Sequence, residues 1–597
     1  MRAVEEVVED RADSRSEPPA PRRARADLWA LLSYAVLSAL VTFQIWRDPN
    51  GRVLASNDDD HNVFLFMLAH GERVIFHGDN PFFSDRLNVP DGVNMMANTS
   101  VLVLSLPLAP VTHWFGPGFT VALLITLGLA GTATAWYWVL SRHLVRSRLA
   151  AWIGGLWCGF APTMISHANG HVNFVSQWVL PFIVWQALRL REPGRALRGG
   201  LILGLLIVLQ VFINEESLLF TALALGVFVI AYAVLAPARA RGAARHMAAG
   251  LGVAATVAVT LLAYPLWYQF FAKGNYHGQP FAPDMYATDL ASIVGFARQS
   301  LAGNAELTRR MSVSATEDNM FFGPIGFVMI VASVVVLWRS VAARAAAVSA
   351  LVLLVMSMGP ELVVFGSRTG IPLPFGLISH VPIIDLVSVT RFAMVPATIA
   401  GVLLALATDR RREFSPRGQR LWQVGLVLAL VPLFPKPLPV VPGDPLPPFL
   451  TQGTWRQYVS DDRTLVTVPL PEVTTGRTGM RWATLNHLEY RTPRGYFMGP
   501  VNPPSDHTGS WNAPRRFTSD LLWRVREYGE RPQLTASDKA RITEDLIFWR
   551  AAVVIMVPGG RNEGPQVDTL TAALGRPQLI GGVQVWDVRS LPVPPSE

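Results

Sequence analysis

The stretch SNDDDHN, residues 56–62, follows shortly after the first long apolar run of the chain. Three consecutive carboxylates repel one another, and burying them in apolar surroundings is costly unless each carboxylate has a partner. Such a cluster is typical of a site that accepts a proton or binds a cation, whereas a linker does not require three adjacent carboxylates. The alternative is a hydrated helix N-terminus, where Asp is a favoured capping residue. We interpret the rest of the chain as a membrane scaffold that presents this cluster on one side.

The composition indicates a membrane protein. The 597 residues are 51% hydrophobic and 16% charged, with a mean hydropathy of +0.31, whereas soluble domains are about 25% charged. Repeated apolar runs of about 17–25 residues predict a polytopic α-helical membrane protein. The single cysteine, Cys158, excludes an intrachain disulfide and a cysteine metal cluster. The arginines behind the net charge of +8 lie in short loops between apolar runs, which is typical of membrane topology rather than of nucleic-acid binding.

The apolar runs and the basic loops between them predict one consistent topology. Arg22, Arg23 and Arg25 precede the first run and place the N-terminus in the cytoplasm. Every short loop that then falls on the inner side is basic, and the loops with unusual polar residues fall outside. The run 102–115 contains two prolines, so we interpret it as an interfacial or re-entrant segment. The prediction is about eleven transmembrane helices, at residues 28–45, 119–140, 149–165, 174–190, 201–213, 218–235, 247–270, 320–338, 346–365, 392–407 and 422–434.

The chain divides into three predicted regions. Residues 1–27 are charged and rich in Pro, Ala and Arg, which predicts a disordered cytoplasmic N-terminus. Residues 28–436 form the transmembrane domain, in which the outer loop 46–118 carries the acidic motif. Residues 437–597 begin in a proline-rich connector and are soluble in character, which predicts a small extracytoplasmic α/β domain. Its predicted strands are 464–469, 552–557 and 583–588, and its predicted helix is 537–549.

Five sets of polar residues converge on the outer face in this topology. Ionisable residues at a membrane edge are candidates for function because their desolvation is costly. Among them the Asp cluster is the candidate general base, because a carboxylate beside a second carboxylate has a raised proton affinity. The five sets are Asp58/Asp59/Asp60/His61, His167/His171, Glu215/Glu216, Glu317/Asp318/Asn319 and Arg391.

Three of these sets have more than one interpretation. His167 and His171 share a face if their segment is helical, and they either bind a substrate hydroxyl or phosphate or cap a loop. Zinc is a weaker alternative because a glycine lies between them and a third ligand is not assured. We expect one of Glu215 and Glu216 to face a cavity and the other to pair with a basic residue. Arg391 either clamps a phosphate through its guanidinium or extends to the membrane interface.

Several motifs of the membrane part resemble those of a known superfamily. They are Gly78-Asp79-Asn80-Pro81-Phe82-Phe83, Asn88, Pro90, Gly92-Val93-Asn94, Asn98-Thr99, His167, His171, Asn173 and Arg391-Phe392. Together with an acidic motif in the first outer loop and a C-terminal outer domain, they make the chain resemble the GT-C membrane glycosyltransferases, in particular actinobacterial members. More distantly, the chain is similar to protein O-mannosyltransferases and aminoarabinose transferases. The resemblance covers about residues 28–436.

The resemblance implies a glycosyltransferase whose donor is a hexose or pentose linked to a polyprenyl phosphate. A first-loop Asp then acts as base on the acceptor hydroxyl, usually with inversion; the base is Asp58, Asp59 or Asp60, of which we favour Asp60 and then Asp58. The acceptor is a cell-envelope glycan or lipid, and the protein lies in the plasma membrane. A divalent cation, Mg²⁺ or Mn²⁺, is compatible with the resemblance but not implied, and we assign no metal ligands. The expected substrate-binding residues are His61, His167, His171, Asn173, Glu215, Glu216, Glu317, Asn319 and Arg391.

Two other classes of function are compatible with such a chain. A transporter or flippase of lipid-linked saccharides also needs membrane cavities and charged residues, but it predicts inverted repeats and broken spans at the membrane midplane. The sequence has no evident repeat, and its charges cluster at one face. A non-catalytic scaffold for envelope assembly, with a degenerate site, is the third class, and the retained acidic cluster argues against it.

Overall fold

The computed structural model describes residues 20–594. The predicted disorder of residues 1–27 therefore falls mostly outside the described residues. Residues 20–27 lie in the first helix, and the division at residue 27 stays a prediction. Asp27 explains why this part is ordered: its carboxylate accepts a hydrogen bond from Tyr137 and pairs with Arg142 at 2.6 Å and Arg148 at 3.1 Å.

Helices dominate the described chain up to about residue 430, and shorter helices recur in the C-terminal part. In chain order they are α1 (Ala20–Trp46), α2 (Asp58–His77), α3 (Leu102–Ser105), α4 (Ala109–Phe115), α5 (Pro117–Val139), α6 (Arg148–Phe160), α7 (Pro162–His167), α8 (Val172–Val175), α9 (Leu180–Arg189), α10 (Ala196–Val211), α11 (Glu215–Leu235), α12 (Pro237–Phe271), α13 (Ala305–Met311), α14 (Pro324–Val336), α15 (Val341–Ser357), α16 (Met394–Asp409), α17 (Pro416–Leu430), α18 (Pro448–Thr451), α19 (Arg477–Leu485), α20 (Phe517–Tyr528), α21 (Ala536–Phe548) and α22 (Glu563–Leu574).

Within residues 20–594, six helical segments are long and apolar enough to cross a membrane. They are Ala24–Trp46, Pro117–Leu144, Arg148–His167, Glu215–Leu235, Pro237–Phe271 and Val389–Glu413. Four further predicted spans correspond to α10, α14, α15 and α17, which have 16, 13, 17 and 15 residues. A helix of about 15 residues is about 22 Å long, which is shorter than the hydrocarbon core of about 30 Å. The total of eleven spans therefore stays a prediction.

The predicted span 174–190 is wrong as a single helix. The chain forms the four-residue helix α8, leaves helical geometry at Ser176, and resumes as α9, which has 10 residues. Pro181 lies in the first turn of α9, where its fixed φ and missing N–H are tolerated. The break positions the turn between α7 and α8, which contains His171, against the start of α2.

The strands are short, and most of them lie in the C-terminal part. They are β1 (Arg52–Leu54), β2 (Phe83–Ser84), β3 (Val93–Asn94), β4 (Glu361–Val364), β5 (Ser367–Pro372), β6 (Val440–Pro442), β7 (Thr464–Val468), β8 (Tyr496–Asn502), β9 (Asp506–Asn512), β10 (Ala551–Met556), β11 (Gln578–Ile580) and β12 (Val583–Asp587). A four-stranded sheet has the order β11-β12-β10-β7, in which β10 and β7 are parallel and the other pairs are antiparallel. The strands predicted at 464–469, 552–557 and 583–588 and the helix predicted at 537–549 are confirmed.

The C-terminal part packs directly on the helical part. One hydrophobic core contains Leu65 of α2 together with Leu438, Phe449 and Leu465 from beyond the predicted boundary at residue 436. The proline-rich connector is bound as well, since β6 pairs with β1 in an antiparallel register. The division into domains stays a prediction, but the shared core lets C-terminal residues reach the start of α2.

Candidate functional site

The acidic cluster forms the first turn of α2. Asn57 caps the helix, and its side-chain oxygen accepts a hydrogen bond from the Asp60 backbone N–H at 3.1 Å. Asp58, Asp59 and Asp60 follow at the N-terminal end, where the helix dipole favours negative charge. The local structure is therefore the N-terminal cap named above as the alternative, and the role of the cluster depends on what its carboxylates contact.

Arg477, from the first turn of α19, forms ion pairs with two of the three carboxylates. Its guanidinium contacts both oxygens of Asp59, at 2.7 and 2.8 Å, and one oxygen of Asp58 at 2.8 Å. The Thr474 N–H adds a hydrogen bond of 3.1 Å to Asp59. Paired oxygens on a planar guanidinium form a specific and strong contact. Asp58 and Asp59 therefore connect α2 to the C-terminal part.

Asp60 has a different set of partners. Its Oδ2 lies 2.8 Å from His171 Nε2 and accepts a hydrogen bond of 2.6 Å from Asn57, while its Oδ1 accepts a hydrogen bond of 2.7 Å from the Tyr496 hydroxyl. The side chain of Asp60 is 22% exposed. Asp60 thus joins α2, the turn before α8 and the start of β8, and it remains accessible to a ligand.

The pKa of Asp60 is lowered to about 2. Burial alone raises it, but the hydrogen bond and charge of His171, followed by the hydrogen bonds from Tyr496 and Asn57, outweigh burial. Because this pKa lies below the unfolded value, the stabilisation it reports is present above about pH 4 and is lost as the pH falls towards about 2. Mutual repulsion in the cluster was expected to raise proton affinity; that expectation is wrong for Asp60, which is ionised at neutral pH.

The two histidines form a chain that ends on Asp60. His171 Nδ1 lies 2.8 Å from His167 Nδ1, so that one of these nitrogens donates and the other accepts. The His167 ring stacks on Phe174, with 4.7 Å between ring centroids. Phe174 also lies 4.7 Å below the Arg391 guanidinium, which connects the histidines to a second charged cluster.

Arg391 lies between two carboxylates. Its Nη1 donates to Glu216 at 2.9 Å, and its Nε and Nη2 donate to one oxygen of Glu317 at 3.0 and 2.8 Å. The side chains of Arg391 and Glu216 are each 20% exposed, whereas Glu317 is 5% exposed. The Arg391–Glu216 contact is thus the accessible one of the two. As predicted for one member of the glutamate pair, Glu216 has a basic partner.

A cavity reaches this cluster. It has a volume of about 200 Å³ and is lined by Glu317, Asn319 and Thr390 together with Arg310 and Arg368 of the neighbouring loops. Arg368 pairs with a carboxylate of its own, Asp284, which also lines the cavity. The cavity therefore connects polar loop residues with the carboxylate partner of Arg391.

The other predicted site residues either lie apart from Asp60 or are buried in the protein interior. His61 is fully buried, and within residues 20–594 neither ring nitrogen has a hydrogen-bond partner, so its predicted role in substrate binding stays a prediction. Consecutive residues of a helix point about 100° apart, so His61 turns away from the face that carries Asp60. Glu215 accepts from Gln269 at 2.8 Å. Asp318 pairs with Arg298 at 2.8 Å.

Asn319 and Asn173 lie near the arginine cluster and the histidines, respectively. Asn319 donates to Glu317 at 3.1 Å and accepts from Thr163 at 2.8 Å, which fixes the orientation of the Glu317 carboxylate. Asn173 is buried in α8, and its side-chain oxygen has no hydrogen-bond partner among the described residues. Asn319 is therefore a supporting residue of the arginine cluster.

His167, His171 and Glu317 also meet the geometric requirement for a metal ion. Their ligand atoms lie within 4.8 Å of one another, so Glu317 supplies the third ligand that the sequence did not assure. His171 and Glu317 already have protein partners, however, whereas His167 Nε2 has no hydrogen-bond partner within residues 20–594. His171 contacts Asp60, and Glu317 accepts two hydrogen bonds from Arg391. A cation here would compete with the Arg391 guanidinium for the Glu317 carboxylate, so the reaction proposed below uses no metal ion at this position.

Arg477 and Tyr496 are the site residues that the sequence did not reveal. They are separated from the acidic cluster by more than 400 residues, and no local motif marks Arg477. The sequence predicts that the C-terminal aromatic residues either stack on sugar faces or belong to the core, and favours the core for most of Trp455, Tyr458, Trp482, Tyr490, Tyr496 and Trp511. Of these, Trp455, Trp482 and Tyr490 are indeed buried in the core.

Replacing Tyr496 by Phe is expected to destabilise the protein by about 1.5–3 kcal/mol, because Asp60 loses a hydrogen bond to a charged oxygen. The measurement is the free energy of unfolding, or the shift of the thermal midpoint, in detergent. Tyr458→Phe is the matched control, since that hydroxyl has no hydrogen bond within residues 20–594, and it should change stability by less than about 0.5 kcal/mol. Equal effects of the two variants would contradict the assigned contact.

Comparison with known proteins identifies a family and a fold. The family model of a domain of unknown function, DUF6311, matches residues 30–431. No curated protein matches the chain. The apo oligosaccharyltransferase of Archaeoglobus fulgidus aligns with 89% of this chain and 69% of its own at 12% identity, with a TM-score of 0.51. That likeness shows that the two chains share a fold.

Two further structures align at lower TM-scores. The oligosaccharyltransferase AglB of the same organism, in complex with an inhibitory peptide and a dolichol-phosphate, aligns with 89% of this chain and 69% of its own at 13% identity, with a TM-score of 0.49. ArnT from Cupriavidus metallidurans, bound to undecaprenyl phosphate, aligns with 97% of this chain and 100% of its own at 12% identity, with a TM-score of 0.44.

Proposed function

The chain belongs to the DUF6311 family and shares its fold with an archaeal oligosaccharyltransferase, and we propose that it is an integral membrane glycosyltransferase of the GT-C type. The donor is a hexose or pentose linked to a polyprenyl phosphate, and the acceptor is a glycan or lipid of the cell envelope. The reaction takes place on the outer face of the plasma membrane, with the N-terminus in the cytoplasm and the C-terminal part outside.

The observation that carries the proposal is the environment of Asp60. Its carboxylate is ionised, 22% exposed, and oriented by His171, Tyr496 and Asn57. Asp58 and Asp59 are instead paired with Arg477, and we assign them a structural role at the N-terminal end of α2. A base must have its charge available to the substrate and its position fixed by neighbours. Asp58 is exposed to a similar degree, at 26%, but its charge is paired with Arg477, so Asp60 fits that description best.

The proposed reaction forms one bond and breaks one bond. The acceptor oxygen attacks the anomeric carbon of the donor sugar, and the bond from that carbon to the phosphate oxygen breaks. The hydroxyl proton passes to Asp60, and the leaving group departs as polyprenyl phosphate. A carboxylate of low pKa suffices because the hydroxyl becomes a strong acid as its oxygen forms the new bond. Before the proton is transferred, the hydrogen bond from His171 stabilises the negative charge of the Asp60 carboxylate.

Arg391 is the proposed contact of the donor phosphate. Its guanidinium is held from one side by the buried Glu317, which fixes its orientation. The Glu216 contact is more exposed, and Glu216 Oε1 has no hydrogen-bond partner in the part of the chain that the structure describes. We expect a phosphate oxygen to replace Glu216 on Nη1, where the charge that develops on the leaving group is stabilised.

Proteoliposomes distinguish sugar transfer from sugar transport. Purified protein is reconstituted with a radiolabelled polyprenyl-phosphate sugar and a crude envelope acceptor, and label is measured in the acceptor and in intact donor on each side of the bilayer. The proposal predicts label in the acceptor. Label that crosses the bilayer within intact donor, without any transfer, would replace the proposal by the flippase alternative.

A further inference from the structure

A second cluster of polar side chains lies at the far end of α2. Glu72 belongs to α2, His113 belongs to α4, and His487 follows the end of α19. Glu72 is separated from Asp60 by 12 residues of one helix, which corresponds to about 18 Å. The cluster is therefore distinct from the site around Asp60, and nothing in the proposed transfer reaction uses it.

The Glu72 carboxylate is buried between the two imidazoles. Its side chain is 1% exposed, its Oε1 lies 2.7 Å from His113 Nδ1, and its Oε2 lies 3.8 Å from His487 Nδ1. Within residues 20–594, Glu72 Oε2 and His487 Nδ1 have no hydrogen-bond partner. Leaving a buried carboxylate oxygen and a ring nitrogen unsatisfied is costly. A cation between them would satisfy both atoms.

The spacing of these atoms suits a small tetrahedral ion. The ligand atoms of the three residues lie within 4.8 Å of one another. Bonds of about 2.0–2.2 Å to a tetrahedral Zn²⁺ put neighbouring ligand atoms about 3.4 Å apart. The observed separations are of this order, with 2.7 Å from Glu72 Oε1 to His113 Nδ1 and 3.8 Å from Glu72 Oε2 to His487 Nδ1, so each carboxylate oxygen faces one imidazole. We propose that Glu72, His113 and His487 bind a Zn²⁺ ion.

The surroundings hold the ligands and leave room for a fourth one. Phe76 stacks on the His113 ring at 4.5 Å between centroids, which limits the rotation of that imidazole. His113 and His487 also line a cavity of about 700 Å³, together with Asp48 and Asn50. Two imidazoles and one carboxylate are a ligand set of zinc sites that keep one position open. Here that position opens to the cavity, and the ion connects α2 and α4 to the C-terminal part.

The test titrates the full-length protein with zinc. Protein purified in detergent and freed of metal with a chelator is titrated with ZnCl₂ in a calorimeter, and bound zinc is counted by elemental analysis after gel filtration. The proposal predicts one zinc whose dissociation constant rises at least about 100-fold in His113→Ala and in His487→Ala. Both imidazoles are partly exposed, so these variants should fold. His77→Ala, an exposed position on the same helix, is the matched control and should bind zinc like the wild type.

Cobalt supplies a second readout. Co²⁺ in a tetrahedral site of nitrogen and oxygen ligands absorbs strongly in the visible range, and this absorption should appear in the wild type and disappear in both histidine variants. Three results overturn the proposal: no stoichiometric zinc in the wild type, zinc that survives both histidine substitutions, or zinc that is lost in His167→Ala instead. The test is independent of sugar transfer, so it stands whether or not the proposed function does.

Discussion

Replacing Arg391 by Met is expected to lower the free energy of unfolding by about 3 kcal/mol. Breaking a buried ion pair by removing one partner costs about 3–5 kcal/mol, and the lower end applies because the Arg391 side chain is 20% exposed. The loss comes from the two carboxylates, Glu216 and Glu317, which would face each other without a cation. The measurement is unfolding of the purified protein by denaturant or heat in detergent.

Two controls separate this effect from a general loss of packing. The triple variant Arg391→Met, Glu216→Gln, Glu317→Gln removes the charges together, so its loss should be at least about 1.5 kcal/mol smaller than that of Arg391→Met alone. Arg309→Met, at an exposed position of α13, should stay within about 0.5 kcal/mol of the wild type. If the single and triple variants were equally unstable, the ion-pair account of this cluster would be wrong.

Replacing Asp60 by Asn is expected to lower the rate of sugar transfer by about 10²–10⁴-fold. Asn has the size of Asp and keeps one accepting oxygen, but its NH2 group cannot accept a hydrogen bond, and the amide cannot take up the proton of the acceptor hydroxyl. Donor binding should change little, because Asp60 acts on the acceptor. The measurements are the single-turnover rate with saturating donor and the dissociation constant of the labelled donor.

Asp59→Asn is the matched control for this variant. Asp59 lies on the same helix turn and is bound to Arg477 on both oxygens, so its neutral form should lower transfer by less than about tenfold. Thermal midpoints of both variants show whether the fold is intact. A loss of transfer in Asp59→Asn together with normal transfer in Asp60→Asn would show that Asp60 is not the base and that another carboxylate takes the proton.

Local patterns predicted much of the architecture. The β-rich runs at 464–469, 552–557 and 583–588 became β7, β10 and β12, because alternating apolar residues between turn residues are a local signal. The long apolar helices followed from composition alone. Composition did not predict the broken and short helices. The segments α8 and α9 are both apolar, so hydropathy does not reveal the break between them.

The candidate site was predicted by residue type but not by pairing. Asp60 and His171 were both named, yet their contact, and the lowered pKa that follows from it, depends on how α2 packs against the turn before α8. Arg477 pairs with Asp58 and Asp59 of the acidic cluster, although more than 400 residues separate them in the sequence. No sequence motif predicts this contact. His61 follows Asp60 directly in sequence, but a helix turns neighbouring side chains apart, so the sequence does not show that the two residues share a face.

The measurement that tests the central claim most directly follows both products of one reaction. Purified wild-type protein is incubated with a polyprenyl-phosphate sugar labelled in the sugar and with an envelope acceptor, and labelled acceptor and free polyprenyl phosphate are quantified over time. The account predicts that one polyprenyl phosphate appears for each sugar transferred, and that both products vanish together in Asp60→Asn. Sugar transfer that continues undiminished in Asp60→Asn, with the same yield of polyprenyl phosphate, would contradict it.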